Sequence, residues 1–477
     1  MSLFDKTLSY FKALSLIPRK SHNEEKVRKW LISWAESHNW EYEEDAIGNL
    51  LIRAKSTNPE RLCLQSHMDM VCVSREPHDW ETEGVTVIEE NAILKGDGTT
   101  LGADNGIGVA VMMALAELEE RPTLELLFTM GEEVGLIGTH HLQFPITAAY
   151  GINLDWCDST SIGIGCGGTL LMEGEYKVQS IKYKVQSNGI YILQISGMRG
   201  GHSGVDIGEN RGNALIELAQ LLIERDDFEA LAEFHGGDAD NAIPRNAQVK
   251  VLFSGDEKEL ENWIEKKTHQ LQKKTENPKA QITLEKTEHS GDFYEKTILN
   301  TFIRLGSGVQ RAGNGIPLSS WNLGKMNFSD GILHWCYFLR TNIPGGVAPL
   351  KDTIQSSFKE LQKLNQHHKV SWSLSHESPV WLVESESPFV KKILETINNP
   401  PFGSLSATAD ELGTRRTVSA VGTHATIEVS TLAEKYPKTE WVSVGATCHD
   451  MHTTREHIHL CDLEEFCERM KRIITRM

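Results

Sequence analysis

An α/β fold built on a helix-covered sheet, interrupted by an inserted α+β domain, is what the sequence predicts. Three observations predict it. Short apolar runs alternate with helical patterns through the first third of the chain and return at its end. The stretch between them has strand and helix patterns of its own, so it reads as a domain and not as a linker. At 477 residues the chain is also long for one core, since a domain takes roughly 100–200 residues.

The elements follow in order. Residues 49–53, 62–65, 124–129 and 150–154 are compact apolar runs that read as buried strands. Val109, Met112, Met113 and Ala116 recur at helical spacing and mark the buried face of a helix over 106–120. Near 179–188 the texture turns polar, and the first domain is expected to pause at 186. The inserted domain, 187–387, opens with a strand at 190–195, a glycine-rich turn, and helices at 213–225 and 257–274. A second round brings a helix at 298–306, a hairpin across 321–340 and a helix over 352–364. From 388 to 477 a helix and the short runs 419–421 and 441–444 resume the first domain. No short tandem repeat is present.

Composition excludes several function classes. Lys and Arg number 48 against 66 Asp and Glu, a net charge of −18 that would repel nucleic-acid phosphates. No apolar run approaches the ~18–20 residues that cross a bilayer. The first 25 residues are amphipathic and lack the pattern of a signal peptide. Eight cysteines without a CxxC pair read as thiols in a reducing compartment, so a cytoplasmic protein is expected.

Five short segments carry the chemistry, and all belong to the first domain. They are HMDM (67–70), GADNG (102–106), GEEVG (131–135), NLDWCD (153–158) and HDMHTTREH (449–457). Histidine and carboxylate donors without cysteine are what a hydrolytic Zn, Mn or Co site uses. Alone, each has a plainer reading: a surface HxD, a solvated first turn at Glu132–Glu133, a capping turn at Asp104. Their placement argues otherwise. His67, Glu132–Glu133 and Asp155 follow expected strands and Asp104 opens the expected helix, where an α/β sheet gathers its ligands.

The order of these motifs resembles the M20 family of dinuclear metallopeptidases. The longer strings KGDGTTLGADNGIGVA (95–110), FTMGEEVGLIG (128–138), MRGGHSGVDIGENRGNA (198–214) and NAIPRNA (241–247), with the opening LSLIPRKSHNEEKV (14–27), resemble its aminoacyl-histidine, or cytosol non-specific, dipeptidases. The resemblance runs over nearly the whole chain. It implies a zinc-peptidase-like catalytic domain with a central mixed sheet flanked by helices, and an inserted α+β lid. Residue by residue, it implies that His67 and Asp155 bind one divalent metal ion, that Glu133 and His452 bind a second, and that Asp104 bridges them. Zinc is the first expectation, with manganese or cobalt next. Asp69 would fix the tautomer of His67, and Glu132 would be the general base toward a metal-bridged water. The C-terminal run also offers His449, and here Ala446 and Thr454 replace prolines of the family pattern, so His452 is the less secure ligand.

For the inserted domain the resemblance implies that His202, in GGHSG, donates to the developing oxyanion. Asn241 and Arg340 would hold the substrate's carboxylate or backbone. His424 and Glu428, in HATIE, receive no role. The implied activity is hydrolysis of unblocked dipeptides, Xaa-His types included, under a lid hinged near Ser187 and Pro388 and able to form a homodimer. The same chemistry on N-acyl amino acids or tripeptides is an alternative. An inactive, metal-stabilised peptide-binding scaffold is an alternative of another class.

Overall fold

The computed structural model describes residues 1–178, 189–288, 292–313, 315–364, 369–399 and 417–477. The chain divides into two compact units, one of 1–165, 381–422 and 427–477, the other of 166–380 and 423–426.

The first unit is organised by a mixed sheet. Its middle holds four strands, β1 (Asn58–His67), β2 (Pro122–Thr129), β3 (Tyr150–Asn153) and β4 (Glu440–Ser443), in the order β2-β1-β3-β4. All three pairings among them are parallel. Leu62, Leu64, Leu124, Leu126, Ile152 and Val442 are fully buried, as strands covered on both faces require. Leu50–Ala54 adds antiparallel to β2, and Ser161–Cys166 and Trp381–Leu382 extend the other side. Helix α1 (Ala103–Ala116) packs on β1 and β2 and against Leu3–Ser15 and Leu460–Arg476. Asp104 and Asn105 depart from helical dihedrals, so the regular helix opens at Gly106 as expected; it ends four residues before the expected 120.

The second unit is built on a sheet whose pairings are all antiparallel. Gly168–Lys177 lies between Ile332–Thr341 and Lys369–Ser378, and Gly189–Ser196 lies between Ala247–Phe253 and Gln281–Thr287. The expected hairpin is Ser319–Ser329 with Ile332–Thr341, and Glu257–Lys274 is a helix over the expected residues. Alternate residues of Gly189–Ser196 are buried, the mark of a sheet with one face on the core.

Two expected boundaries move. The second unit begins at Cys166, not at 187, because Gly168–Lys177 pairs on both sides with strands of that unit. The polar stretch that suggested 186 and a hinge near Ser187 lies outside the described residues. The return comes at Trp381, not at 388, because Trp381–Leu382 joins the first unit's sheet; Pro388 opens a helix capped by Ser387. Among the described residues no helix is long and apolar enough to cross a membrane.

Candidate active site

Parallel pairing brings the C-terminal ends of β1, β2 and β3 to one edge of the sheet, and the first unit's motif residues collect there. His67 is the last residue of β1 and is fully buried. Its Nε2 stands 3.1 Å from Asp104 Oδ1 and 3.7 Å from Asp155 Oδ1. On the other oxygen of Asp104, His452 Nε2 stands at 3.3 Å, and it is also 3.3 Å from Glu133 Oε2. Asp104 is thus shared by two triads, His67–Asp104–Asp155 and Asp104–Glu133–His452, each with donor atoms within 4.8 Å of one another.

The surroundings hold these side chains in place. His67 Nδ1–H donates to the Asp69 carbonyl at 3.1 Å, with Asp69 Oδ1 at 3.3 Å. The Asp69 carboxylate does more than the sequence suggested. It also accepts the backbone N–H groups of Glu132 (3.0 Å) and Glu133 (3.2 Å) and the Ser21 hydroxyl (2.7 Å). One buried carboxylate therefore aligns His67 and pins both glutamates. Gly131, at φ +60°, turns the chain out of β2 just before them, a conformation that favours glycine.

The turn that presents Asp104 is clamped from the far end of the sequence. Glu456 accepts the backbone N–H groups of Leu101, Gly102 and Ala103 at 2.9, 3.1 and 2.8 Å. Buried Arg19 donates to the carbonyls of Met68, Asp69 and Gly102, tying the HMDM and GADNG segments together. Glu428 is buried against β1 and β2, accepting from Thr129 Oγ1 at 2.7 Å and from Gln65 Nε2. The sequence assigns none of these three a role, though Arg19 lies in the string 14–27 and Glu428 in HATIE, both of which match the family pattern.

Electrostatics in the metal-free chain follow from burial and pairing. Burial works against protonation of His67, but hydrogen bonds to Asp104, Asp155 and Asp69 outweigh it and hold the imidazole well above its ordinary range. Burial likewise opposes the charge on His452, and Asp104 and Glu133 reverse it, so its pKa is also raised. Asp104 is lowered: burial would raise it, and its two imidazoles prevail. Burial, then the Asp104 charge, raises Glu133 and pushes Asp155 up to about 7. Burial, then the adjacent Glu133, lifts Glu132 well above the carboxylate range.

The donor set fits divalent metal ions. Glu133 Oε1 is buried without a hydrogen-bond partner, an acceptor that the protein leaves unsatisfied between two imidazole-bearing triads. Imidazole and carboxylate together suit Zn, Mn or Co. His449 is not in either triad; its ring stacks on His457 with centroids 4.9 Å apart.

The structure places the remaining motif residues in the second unit. His202 pairs with Ala242 in a two-residue ladder, and its Nδ1 accepts from Gly204 N–H at 3.3 Å, which puts the ring proton on Nε2. The Ser203 N–H donates to the Asn241 carbonyl at 2.7 Å. Arg340 lies 3.5 Å from Ser203 Oγ through Nε and 3.3 Å from Thr426 Oγ1 through Nη1. Its guanidinium is buried, rests over Phe338 and meets no carboxylate among the described residues. Burial lowers its pKa to about 10. His424 is buried too, bonded to Ser320 Oγ at 2.7 Å and to Asn342.

The family model of peptidase family M20/M25/M40 matches residues 63–476. The chain belongs to this family. Its sequence is 28% identical over 476 residues to the cytosol non-specific dipeptidase of Escherichia coli K12, covering 94% of this chain and 93% of that protein. Among solved structures of M20 likeness, the aminoacylhistidine dipeptidase from Vibrio alginolyticus superimposes with a TM-score of 0.77 at 23% identity, covering 99% of this chain and 96% of that one. A tripeptidase from Staphylococcus aureus has the same fold, with a TM-score of 0.56 at 16% identity and 99% coverage of both chains. As a member of peptidase family M20, the chain is a hydrolase acting on peptide bonds, and its fold is the mixed α/β fold that the motifs implied.

Proposed function

We propose that this chain is a two-metal dipeptidase that hydrolyses unblocked dipeptides, Xaa-His dipeptides among them. The observation that carries the reading is the sharing of Asp104, one carboxylate flanked on its two oxygens by His67 and His452. In this reading His67 and Asp155 hold one ion, Glu133 and His452 the other, and Asp104 both. Two divalent ions bound there would supply Lewis acidity to the substrate carbonyl and acidify a water.

The protein's own groups do the rest. Glu132, next to a ligand in sequence and fixed at its backbone by Asp69, takes the proton from the attacking water and returns it to the leaving amine. Asp69 keeps the His67 proton on Nδ1 and so aims Nε2. His202, with its proton on Nε2, is assigned to the oxyanion. Arg340, a buried cation with no carboxylate in contact among the described residues, is assigned with Asn241 to the substrate carboxylate. Full-length likeness to a non-specific dipeptidase supports dipeptides over N-acyl amino acids. A homodimer through the second unit and a cytoplasmic location, where the eight free thiols stay reduced, belong to the same reading.

The test joins substrate and mechanism. Free dipeptides should turn over and their N-acetylated forms should not, with activity lost to chelators. Glu132→Ala should lower kcat by about 10²–10⁴-fold while both metal equivalents remain bound. Full turnover by metal-free protein, or preference for the N-acetylated panel, would sink the reading.

A further inference from the structure

Away from the two triads the first unit gathers a second group of imidazoles. His449, His457 and His459 offer ring nitrogens that all lie within 4.8 Å of one another. His457 and His459 alternate along the strand His457–His459, so their side chains leave the same face. His449 faces them across a backbone bridge. Its N–H donates to the His457 carbonyl at 3.0 Å, and the His457 N–H donates to the His449 carbonyl at 3.1 Å. Ring centroids are 4.9 Å apart for His449–His457, 5.3 Å for His449–His459 and 5.5 Å for His457–His459.

The tautomer at the centre of the group is set. His457 Nδ1–H donates to the Arg455 carbonyl at 2.9 Å, which leaves its Nε2 with the lone pair. All three rings are half-buried, within reach of an ion from solvent. Lys95, opposite His457 in the strand register, is engaged by Glu90 at 2.6 Å. Three imidazoles without a carboxylate suit zinc, copper or nickel and not magnesium or calcium.

We propose that His449, His457 and His459 form a third metal site, for a single transition-metal ion, at the neck of the loop 450–456. That loop carries His452, which sits at φ +61°, and its neck is closed by the two backbone bonds between His449 and His457. An ion ligated from both sides of the neck turns that bridge into a staple. It restricts the loop that presents His452 to Asp104 and Glu133, at a cost in chain entropy that the metal bonds offset. The site shares no side chain with the two triads, so it stands whether or not those triads bind a pair of ions.

Metal counting on the whole chain tests it. Equilibrium dialysis against Zn²⁺ should leave wild type with one more equivalent than His457→Gln/His459→Gln. His449→Gln, altered on the other side of the neck, should show the same deficit and guards against a folding artefact of the double variant. Cu²⁺ added to wild type should give, beside any signal from the two triads, an electron-spin resonance component with splittings from several imidazole nitrogens that both variants lack. Amide exchange over 450–456 should slow more with Zn²⁺ in wild type than in the variants, which keep His452 and its own candidate ion. Equal zinc counts in wild type and variants, or exchange slowed by zinc to the same extent in both, would overturn the proposal.

Discussion

In the first unit, three buried charged groups sit in hydrogen-bonded sets: Asp69 with His67, Ser21 and two amides, Glu456 with three amides, Arg19 with three carbonyls. In the second unit, the buried Arg340 guanidinium has hydroxyl contacts but, among the described residues, no carboxylate within ion-pair distance, only the charge of Asp240 from farther off, and the nearby buried His424 is neutral. Burying an ion is unfavourable unless partners compensate, so the first set supports the fold and the Arg340 charge is held against it. In the proposed function, the substrate carboxylate would supply the contacting anion that the protein does not.

Three changes can break or sharpen this contrast. The largest effect is expected from Asp69→Ala. It strips acceptors from a buried imidazole and two amides and should cost about 3–5 kcal/mol, read as a lower urea midpoint at constant slope. A loss under about 1 kcal/mol would remove Asp69 as the organiser of the site. Arg340→Met should act in the opposite sense, raising stability by roughly 1–3 kcal/mol while KM for dipeptides rises. A destabilised Met variant with unchanged KM would mean that Arg340 is structural.

The smallest effect is a pH effect at His424. Burial, then the Arg340 charge, lowers its pKa to about 3. The unfolded chain takes up this proton near pH 6.5 and the folded chain does not, so stability falls as pH drops from about 6.5 toward 3. In His424→Gln that stretch of the unfolding-midpoint profile should be flatter than in wild type. Parallel profiles would show that His424 does not titrate differently in the two states.

Much of the first unit was legible because its signals are local. The apolar runs at 62–65 and 124–129 became parallel strands, and the residues just past them met at one edge because parallel pairing aligns strand ends. Five sequence-read residues, His67, Asp104, Glu133, Asp155 and His452, came together in two triads. What escaped was non-local. Nothing near Glu456 marks it as the clamp of a turn at 101–103, since its partners are amides with no side-chain signature. Arg19 donates, among the described residues, to carbonyls and is equally silent. The first boundary was misplaced for the same reason. Gly168–Lys177 looks like the next strand in series, and only its partners, more than 150 residues on, assign it to the second sheet.

Asp104 and His452 are separated by 348 positions, and Glu456 follows His452 closely. On the ribosome, then, His67, Asp104, Glu133 and Asp155 emerge first, and the second triad waits for translation to approach the C-terminal helix. At about 5–20 residues per second the delay is on the order of tens of seconds. During that interval the nascent peptidase lacks both the second imidazole and the clamp on the Asp104 turn. A chain released early by a broken message lacks them for good. The long reach of the C-terminal segment thus ties assembly of the second triad and of the clamp to the last stretch of synthesis.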